Sequence, residues 1–232
     1  MDDQGAAAGG DALREFLLRA CHDLRGPLRS VRANAELLCI PEKREGPDVD
    51  QILGFIVEGA KRMEGVVDGL AGYTLALHTA EGSFLPTSLG VVLRSAIARL
   101  ASEIRECGGE VTYGELPRVA GDPDRLAQLF ENLVRNALQC RGPAPPRIQV
   151  TATAQDGAWL FAVRDNGRGI DAADAERIFR PFERLRRDGP AGAGLGLAAC
   201  REIVARHGGK IWTQCQTEPG ATILFTLPAG LD

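Results

Sequence analysis

Residues 122–140, DPDRLAQLFENLVRNALQC, have the pattern of an amphipathic helix that packs one face on a core. Apolar side chains recur at steps of three and four, which matches the α-helical period. These are Leu126, Leu129, Phe130, Leu133, Val134 and Ala137. Asp122, just before Pro123, is a typical N-cap residue. The stretch therefore predicts a helix from Asp122 to Cys140 with a buried apolar stripe.

Two asparagines, Asn132 and Asn136, lie one turn apart at the margin of this stripe, with Gln139 on the same flank. An amide oxygen there can ligate a hard cation, and Mg²⁺ suits oxygen ligands shared with phosphates and water. Two asparagines on a helix are also common as plain surface residues. The pair alone leaves both interpretations open.

A glycine-containing turn follows further along, in VRDNGRGI at residues 163–170. A predicted strand ends at Asp165, and Gly167 and Gly169 allow the backbone to turn sharply and approach a ligand closely. A buried carboxylate at Asp165 can accept a hydrogen bond from an exocyclic amine such as that of adenine. A plain Asx-Gly turn is the alternative interpretation.

A second glycine-rich segment, GAGLGLAAC at residues 192–200, leads into a helix predicted to begin near Leu195. Its glycines are Gly192, Gly194 and Gly196. Backbone N–H groups at a helix N-terminus bind phosphate when side chains do not cover them. The loop is a weak signal by itself, but the arginines before it and the helix after it strengthen it.

The first part of the chain carries two heptad-like apolar stripes joined by the predicted turn PEKREGPD, residues 41–48. One stripe comprises Leu13, Leu17, Ala20, Leu24, Leu28, Val31, Ala35 and Leu38, and the other Ile52, Ile56, Gly59, Met63, Val66, Leu70, Tyr73 and Leu77. Two helices form a hairpin too thin to bury both stripes. The spacing therefore favours a four-helix bundle made by two chains, with a hairpin packed on the rest of its own chain as the second interpretation.

The first helix contains CHDLRGPLRS, residues 21–30, in which His22 lies off the apolar stripe and is expected to face solvent. Pro27 has no N–H to bond the carbonyl of Asp23, so the helix should bend or loosen just after the histidine. Asp23 lies beside His22 and can fix the tautomer of its imidazole.

Periodicity and composition divide the chain into four segments. Residues 1–10 are expected to be a disordered leader, 11–80 a helical hairpin, 81–87 a linker and 88–232 a second domain. The second domain is predicted to contain a helix over about 88–107, a strand near EVTYGEL, the helix at 122–140, two strands over 147–167, a helix over about 195–207 and a final hairpin. This order indicates an α+β sandwich in which helices cover one face of a sheet.

The overall composition excludes several classes of protein. A formal net charge of -4 gives no sign of a nucleic-acid-binding surface. No apolar run is long enough for a transmembrane helix, and the acidic start MDDQGAAAGG lacks the features of a signal peptide. Six cysteines without CxxC pairs indicate free thiols. We therefore expect a cytoplasmic protein with neither nucleic acid nor membrane as a partner.

The order of these segments resembles the transmitter core of sensor histidine kinases, a HisKA-type dimerisation and phosphoacceptor domain followed by a GHKL-type (HATPase) domain. CHDLRGPLRS resembles the H box, QLFENLVRNAL the N box, RDNGRGI the G1 box, IFRPFERL the F box and GAGLGLA the G2 box. The sequences HDLRGPL, GDPDRLAQLFENL and IVARHGGKIW are most similar to those of kinase cores attached to phytochrome-like photosensors. The resemblance extends over residues 11 to 228. It implies a helical hairpin that forms a dimeric four-helix bundle, followed by an α/β sandwich that binds ATP.

The resemblance also implies roles for single residues. His22 would be the phosphoacceptor, and Asp23 would assist by drawing off its proton. Asn136 would be the Mg²⁺ ligand, with Asn132 near the phosphates, and Asp165 would bind the adenine amine.

The glycines have implied roles as well. Gly167 and Gly169 would shape the adenine pocket. The hinge of a mobile lid over ATP, roughly residues 179–193, would consist of Gly192, Gly194 and Gly196.

The implied function is that of an ATP-dependent histidine autokinase of a two-component system. It would form a homodimer through the hairpin and pass the phosphoryl group from His22 to an aspartate of a response regulator receiver domain. The signal would come from a separate sensor protein or from another part of a longer chain. The alternative is a histidine phosphotransfer or scaffold protein that keeps the fold with degenerate ATP binding. A chaperone- or topoisomerase-type ATPase is disfavoured because that class lacks the H-box hairpin.

Two departures from the family pattern bear on this choice. N boxes of this kind usually carry a lysine and then an aromatic residue where this chain has Gln139 and Cys140. The missing charge predicts weaker ATP binding or slower transfer, unless a lid arginine (Arg184, Arg186 or Arg187) substitutes. In the H box, Gly26 stands where Thr or Asn is frequent, which predicts weak phosphatase activity.

Overall fold

The computed structural model describes residues 3–40, 48–78, 84–185, 193–214 and 219–230. The chain forms two compact units, and the division between them falls between Ala71 and Gly72. In the described ranges, no helix combines the length and the apolar character needed to cross a bilayer.

The first unit contains the predicted helical hairpin. Helix α1 spans Asp3–Leu38, and α2 spans Val49–Ala76, although its last residues belong to the second unit. Because α1 begins at Asp3, helix replaces the disordered leader expected for residues 3–10. Alanine is the strongest helix former, and Ala6, Ala7 and Ala8 allow the helix to continue through this segment. Most of the predicted turn, residues 41–47, lies outside the described residues.

The two helices of the hairpin approach closely at Gly59. A Cβ atom on Gly59 would lie 2.6 Å from Cγ2 of Val31 and 3.3 Å from the carbonyl oxygen of Pro27. Helix α1 stays one continuous helix through Pro27. The missing side chain of Gly59 therefore lets α2 pack directly against α1 next to the proline.

The second unit is built around a five-stranded sheet with the order β2-β4-β5-β7-β6. A separate two-stranded antiparallel sheet pairs β1 with β3. In the large sheet β2 runs parallel to β4, and the other neighbours are antiparallel. The strands are β1 Leu85–Ser88, β2 Glu110–Tyr113, β3 Arg118–Gly121, β4 Arg147–Gln155, β5 Ala158–Asp165, β6 Ile211–Gln214 and β7 Thr222–Pro228.

Helices pack on this sheet to form the core. They are α3 Leu89–Arg99, α4 Ala101–Glu106, α5 Pro123–Gln139 and α6 Gly196–Arg206. Phe161 of β5 stacks on Phe225 of β7 at a centroid distance of 4.7 Å, and Phe130 of α5 meets Phe225 edge-on at 6.1 Å. Side chains at alternate positions of β4, β5 and β7 are buried, so one face of the sheet packs on the core. The predicted α+β sandwich is confirmed.

Three local predictions differ from the structure. The helix expected over 88–107 is two helices, because α3 ends at Arg99, Leu100 caps it, and α4 begins at Ala101. The sheet of β1 and β3 was not predicted, since strands of four residues show too few alternations to be recognised. Part of the expected linker 81–87 is therefore strand, while residues 79–83 lie outside the described residues.

The second unit begins inside α2. The carbonyl oxygen of Gly72 accepts a hydrogen bond from Nε2 of Gln128 at 2.7 Å, and Ala76 is fully buried in the core of this unit. The apolar stripe of α2 keeps its period through Tyr73 and Leu77, so nothing in the periodicity marks this change of packing partner.

His207 joins three elements of the second unit. Its Nε2 accepts a hydrogen bond from the backbone N–H of Asp122 at 3.0 Å, so Nδ1 carries the proton and donates to the carbonyl of Ile203 at 2.7 Å. The ring stacks on Phe84 at 4.6 Å. Burial lowers the pKa of His207 below its ordinary value of 6.5, although the Ile203 carbonyl and the Asp122 carboxylate favour the charged form.

The contact at Gly59 predicts opposite effects for two alanine substitutions in α2. Gly54 has no atom within 4 Å of its would-be Cβ, so Gly54→Ala should raise the free energy of unfolding by about 0.5–1 kcal/mol through helix propensity. Gly59→Ala should lower it by about 1 kcal/mol or more, because its Cβ would overlap Val31. Urea denaturation followed by far-UV circular dichroism measures both. Equal effects of the two substitutions would contradict the close contact.

The lowered pKa of His207 predicts a stability that depends on pH. Below about pH 6.5 the unfolded chain binds a proton that the folded chain excludes, so the free energy of unfolding should fall as the pH falls. His207→Gln keeps an acceptor for the Asp122 N–H and should make this slope shallower between about pH 7 and pH 5.5. Urea denaturation at several pH values tests this, with the exposed His78→Gln as a control that should keep the parental slope. An unchanged slope in His207→Gln would show that another group causes the pH dependence.

Candidate active site

A buried carboxylate ends strand β5. The side chain of Asp165 is nearly inaccessible, and its Oδ1 accepts hydrogen bonds from the backbone N–H groups of Gly167 at 2.7 Å and Ala221 at 3.2 Å. Burial raises the pKa of Asp165, while these two donors act to lower it. Since both bonds go to Oδ1, the carboxylate can still accept a hydrogen bond from an amine through its other oxygen.

Glycines pack tightly around this carboxylate. A Cβ atom on Gly167 would lie 2.6 Å from the carbonyl oxygen of Cys140 and 2.8 Å from Oδ1 of Asp165. Gly169 has φ +81°, and Gly220 has φ +111° with a would-be Cβ 2.0 Å from the carbonyl oxygen of Asp165. Gly167 thus packs directly on the Asp165 carboxylate, whereas a Cβ atom on Gly169 would lie 3.2 Å from the carbonyl oxygen of Gly220. Gly220 and Ala221 were not predicted, because Pro-Gly in the sequence signals a turn without showing what the turn packs against.

Helix α5 carries the two predicted asparagines along one margin. Asp122 caps the helix, since its Oδ1 accepts from the N–H groups of Asp124 and Arg125, as the sequence predicts. Asn132 and Asn136 are half-buried, and Oδ1 of Asn136 lies 3.8 Å from the thiol of Cys140, which donates to it.

Helix α6 begins beside Asn132. A Cβ atom on Gly196 would lie 3.7 Å from the side-chain amide of Asn132, in ordinary contact. The N-cap residue of α6, Leu195, offers no side-chain hydrogen bond to the first turn. The first N–H groups of this helix therefore have no side-chain cap, and such groups bind phosphate.

Part of the predicted lid is described. The N–H of Phe182 donates to the carbonyl of Gly194 at 3.0 Å, which ties the two ends of the segment together. Gly194 has φ +68°, and its would-be Cβ lies 2.6 Å from the carbonyl oxygen of Glu183. Gly192, Arg186 and Arg187 lie outside the described residues.

Two groups of predicted residues thus meet within the second unit. At the end of α5, the N–H of Arg168 donates to the carbonyl of Cys140 at 3.1 Å, so the turn after Asp165 packs directly on the helix that carries Asn136. Nearer its middle, α5 places Asn132 against the start of α6. The arrangement combines a buried carboxylate with an oxygen left to accept, amide oxygens and uncapped backbone donors, a set of groups that suits a nucleotide.

In the first unit, His22 projects from α1 with 86% of its side chain exposed. Its Nδ1 lies 3.3 Å from Oδ1 of Asp23. The expected exposure and the acid beside the ring are both present. When Nδ1 donates its proton to Asp23, the lone pair of Nε2 remains available.

Neither cysteines nor acidic clusters suggest a separate metal centre in the described ranges. Cys21, Cys39, Cys107, Cys140 and Cys200 are free thiols, and Cys215 lies outside the described residues. Among described side chains, His, Cys, Asp and Glu form no group of three or more suited to hold a metal ion.

The fold and the site of the second unit define an ATP-binding domain of the GHKL type. Residues 121–231 match the model of the histidine kinase-, DNA gyrase B- and HSP90-like ATPases, and residues 12–72 match the His Kinase A phospho-acceptor domain. The chain belongs to the sensor histidine kinase family and comprises its transmitter core.

Known relatives agree with this assignment. Cyanobacterial phytochrome A of Nostoc sp. is 37% identical over 220 residues, which cover 94% of this chain and 29% of the phytochrome. The chain thus spans about three tenths of that relative. The catalytic domain of histidine kinase ThkA is 31% identical with a TM-score of 0.55, over 63% of this chain and 95% of that domain. ThkA solved with the response regulator protein TrrA shares the fold across both units, with a TM-score of 0.72 at 23% identity over 98% of this chain and 65% of that chain. The predicted similarity to phytochrome-like kinase cores is confirmed.

The packing at Gly167 predicts a specific loss of nucleotide binding. Gly167→Ala would place a methyl group against Cys140 and Asp165, so we expect the carboxylate to shift and the affinity for ATP to fall at least tenfold. Gly142→Ala is a matched control, because its Cβ would meet no atom within 4 Å and its affinity should stay parental. Titration with a fluorescent ATP analogue measures both, and parental affinity in Gly167→Ala would contradict the role of this turn.

Proposed function

We propose that this chain is an ATP-dependent histidine autokinase that phosphorylates its own His22. The phosphoryl group would then pass to an aspartate of a response regulator receiver domain. The buried Asp165 carboxylate, held by Gly167 and Ala221 with one oxygen left for a ligand amine, is the observation that carries the proposal.

In this proposal each part of the second unit contacts a different part of the nucleotide. Asp165 accepts a hydrogen bond from the adenine amine, and Gly167 and Gly169 give the base close access. The open N–H groups at Gly196 and the amide of Asn132 face the phosphates. Asn136 offers its side-chain oxygen to Mg²⁺, which would neutralise phosphate charge during transfer.

The phosphoacceptor chemistry follows from the His22–Asp23 pair. Asp23 holds the proton on Nδ1, so Nε2 can attack the γ-phosphorus with its lone pair. A bond forms between Nε2 and phosphorus while the bond to the β,γ-bridging oxygen breaks, and ADP leaves. The Nδ1 proton can move to Asp23 or to solvent, which compensates the positive charge that develops on the ring.

The hairpin supports a homodimer as the working form. Several large apolar side chains along its two helices are exposed: Leu17, Leu28, Leu53, Val57 and Val67. A second copy packed on this surface would complete the four-helix bundle.

Gly26 has no side chain to orient a water molecule, so we expect weak phosphatase activity toward the regulator.

The second candidate is a phosphotransfer or scaffold protein. The observation in its favour is that the last turn of α5 carries no basic residue, with Gln139 where a lysine is usual. The intact surroundings of Asp165, Asn136 and Gly196 favour the kinase.

Autophosphorylation with γ-labelled ATP and Mg²⁺ separates the two candidates. We expect label that is acid-labile and alkali-stable in the parent, lost in His22→Gln for want of a nucleophile and in Asn136→Ala for want of a metal ligand. His78→Gln removes another exposed histidine and should keep the label. If the parent neither takes up label nor binds ATP, the kinase proposal is wrong and the phosphotransfer candidate remains.

A further inference from the structure

Helix α5 brings no basic side chain to the edge of the proposed nucleotide site where the helix ends. ATP with one Mg²⁺ keeps a net negative charge, and phosphate groups are usually met by arginine or lysine. The last turn of α5 has no basic residue, and Gln139 at its end is exposed and neutral. A positive charge at this edge must come from another element.

Arg168 reaches the same end of α5 from the turn that follows Asp165. Its backbone N–H is bonded to the carbonyl of Cys140, and Gly167 before it packs against the same carbonyl. The thiol of Cys140 in turn lies 3.8 Å from Oδ1 of Asn136. The backbone of Arg168 is therefore fixed next to the helix end that carries the proposed Mg²⁺ ligand.

The charged side chain of Arg168 starts from this fixed backbone position beside the end of α5. The side chain of Arg168 is exposed, and it has no acidic partner at salt-bridge distance within the described ranges. The charge is thus available to a ligand.

We infer that Arg168 is a nucleotide-binding residue that supplies to the phosphates the positive charge missing at Gln139. This inference rests on the proposed function. A guanidinium that extends from this position can donate two hydrogen bonds to phosphate oxygens. The sequence analysis did not predict a role for Arg168. The residue lies between the two glycines of the DxGxG pattern, at a position where the pattern specifies no residue type.

Affinities for ATP and adenosine, measured with Mg²⁺ by isothermal titration calorimetry, test the inference. Arg168→Gln should weaken ATP about tenfold or more and leave adenosine unchanged, because only the phosphates need the charge. Adding Gln139→Lys to Arg168→Gln should restore most of the ATP affinity. Arg94→Gln, an exposed arginine on α3, changes the net charge equally and should bind ATP as the parent does.

Each other result has a distinct meaning. Parental ATP affinity in Arg168→Gln overturns the inference, and the positive charge near the phosphates would then have to come from Arg184 or another arginine of the lid. Equal weakening of ATP and adenosine also overturns it, because Arg168 would then only support the turn. If Asp165→Asn loses ATP while Arg168→Gln does not, the proposed function stands without this inference. If the parent itself does not bind ATP, both are wrong.

Discussion

The buried carboxylate of Asp165 is the constraint on which the second unit depends. A carboxylate out of water is costly unless donors surround it, and here the donors are backbone N–H groups from two separate loops. Both loops must come very close, which is possible because Gly167 and Gly220 have no side chains. The central strands bring the loops together, since β5 pairs with β7 and Ala221 directly precedes β7. The pairing of β5 with β7 and the surroundings of Asp165 therefore depend on each other.

Helix α5 links this site to the core. One face buries Leu126, Phe130 and Leu133 against the sheet and the neighbouring helices, while the margin presents Asn132 and Asn136. Because the buried face fixes the rotation of the helix, it also sets the direction in which the two amides project. The turn after Asp165 packs on the end of the same helix at Cys140, so the candidate site residues Asp165, Asn132 and Asn136 are held by one rigid element.

The sequence predicted those features that repeat over many residues. The stripes of α1, α2 and α5 and the alternation in β4 and β5 are long enough to identify, and ordered motifs then joined Asp165, Asn136 and the glycine loop into one site. Strands β1 and β3 are too short to show alternation, and the contact of Gly220 with Asp165 joins residues far apart in the chain. The change of packing partner within α2 at Gly72 was also hidden, because an apolar stripe keeps the same period whichever surface it packs on. The roles assigned to His22, Asp23 and the site glycines stay predictions until variants are measured.

The two units differ in how much core each possesses by itself. In the hairpin, among the described side chains of residues 14–71, the buried apolar ones are Ala20, Ile52 and Val66, whereas the second unit buries a large continuous cluster. Three such side chains contribute only a few kcal/mol, at roughly 1.5–3 kcal/mol for each large one, which is little against the entropy of ordering two long helices. The exposed flank of Leu28, Val57 and Val67 can supply the missing burial only when another surface covers it. In the proposed homodimer, folding of the hairpin and association are therefore one equilibrium, and the presentation of His22 depends on the concentration of the chain, while the nucleotide site does not.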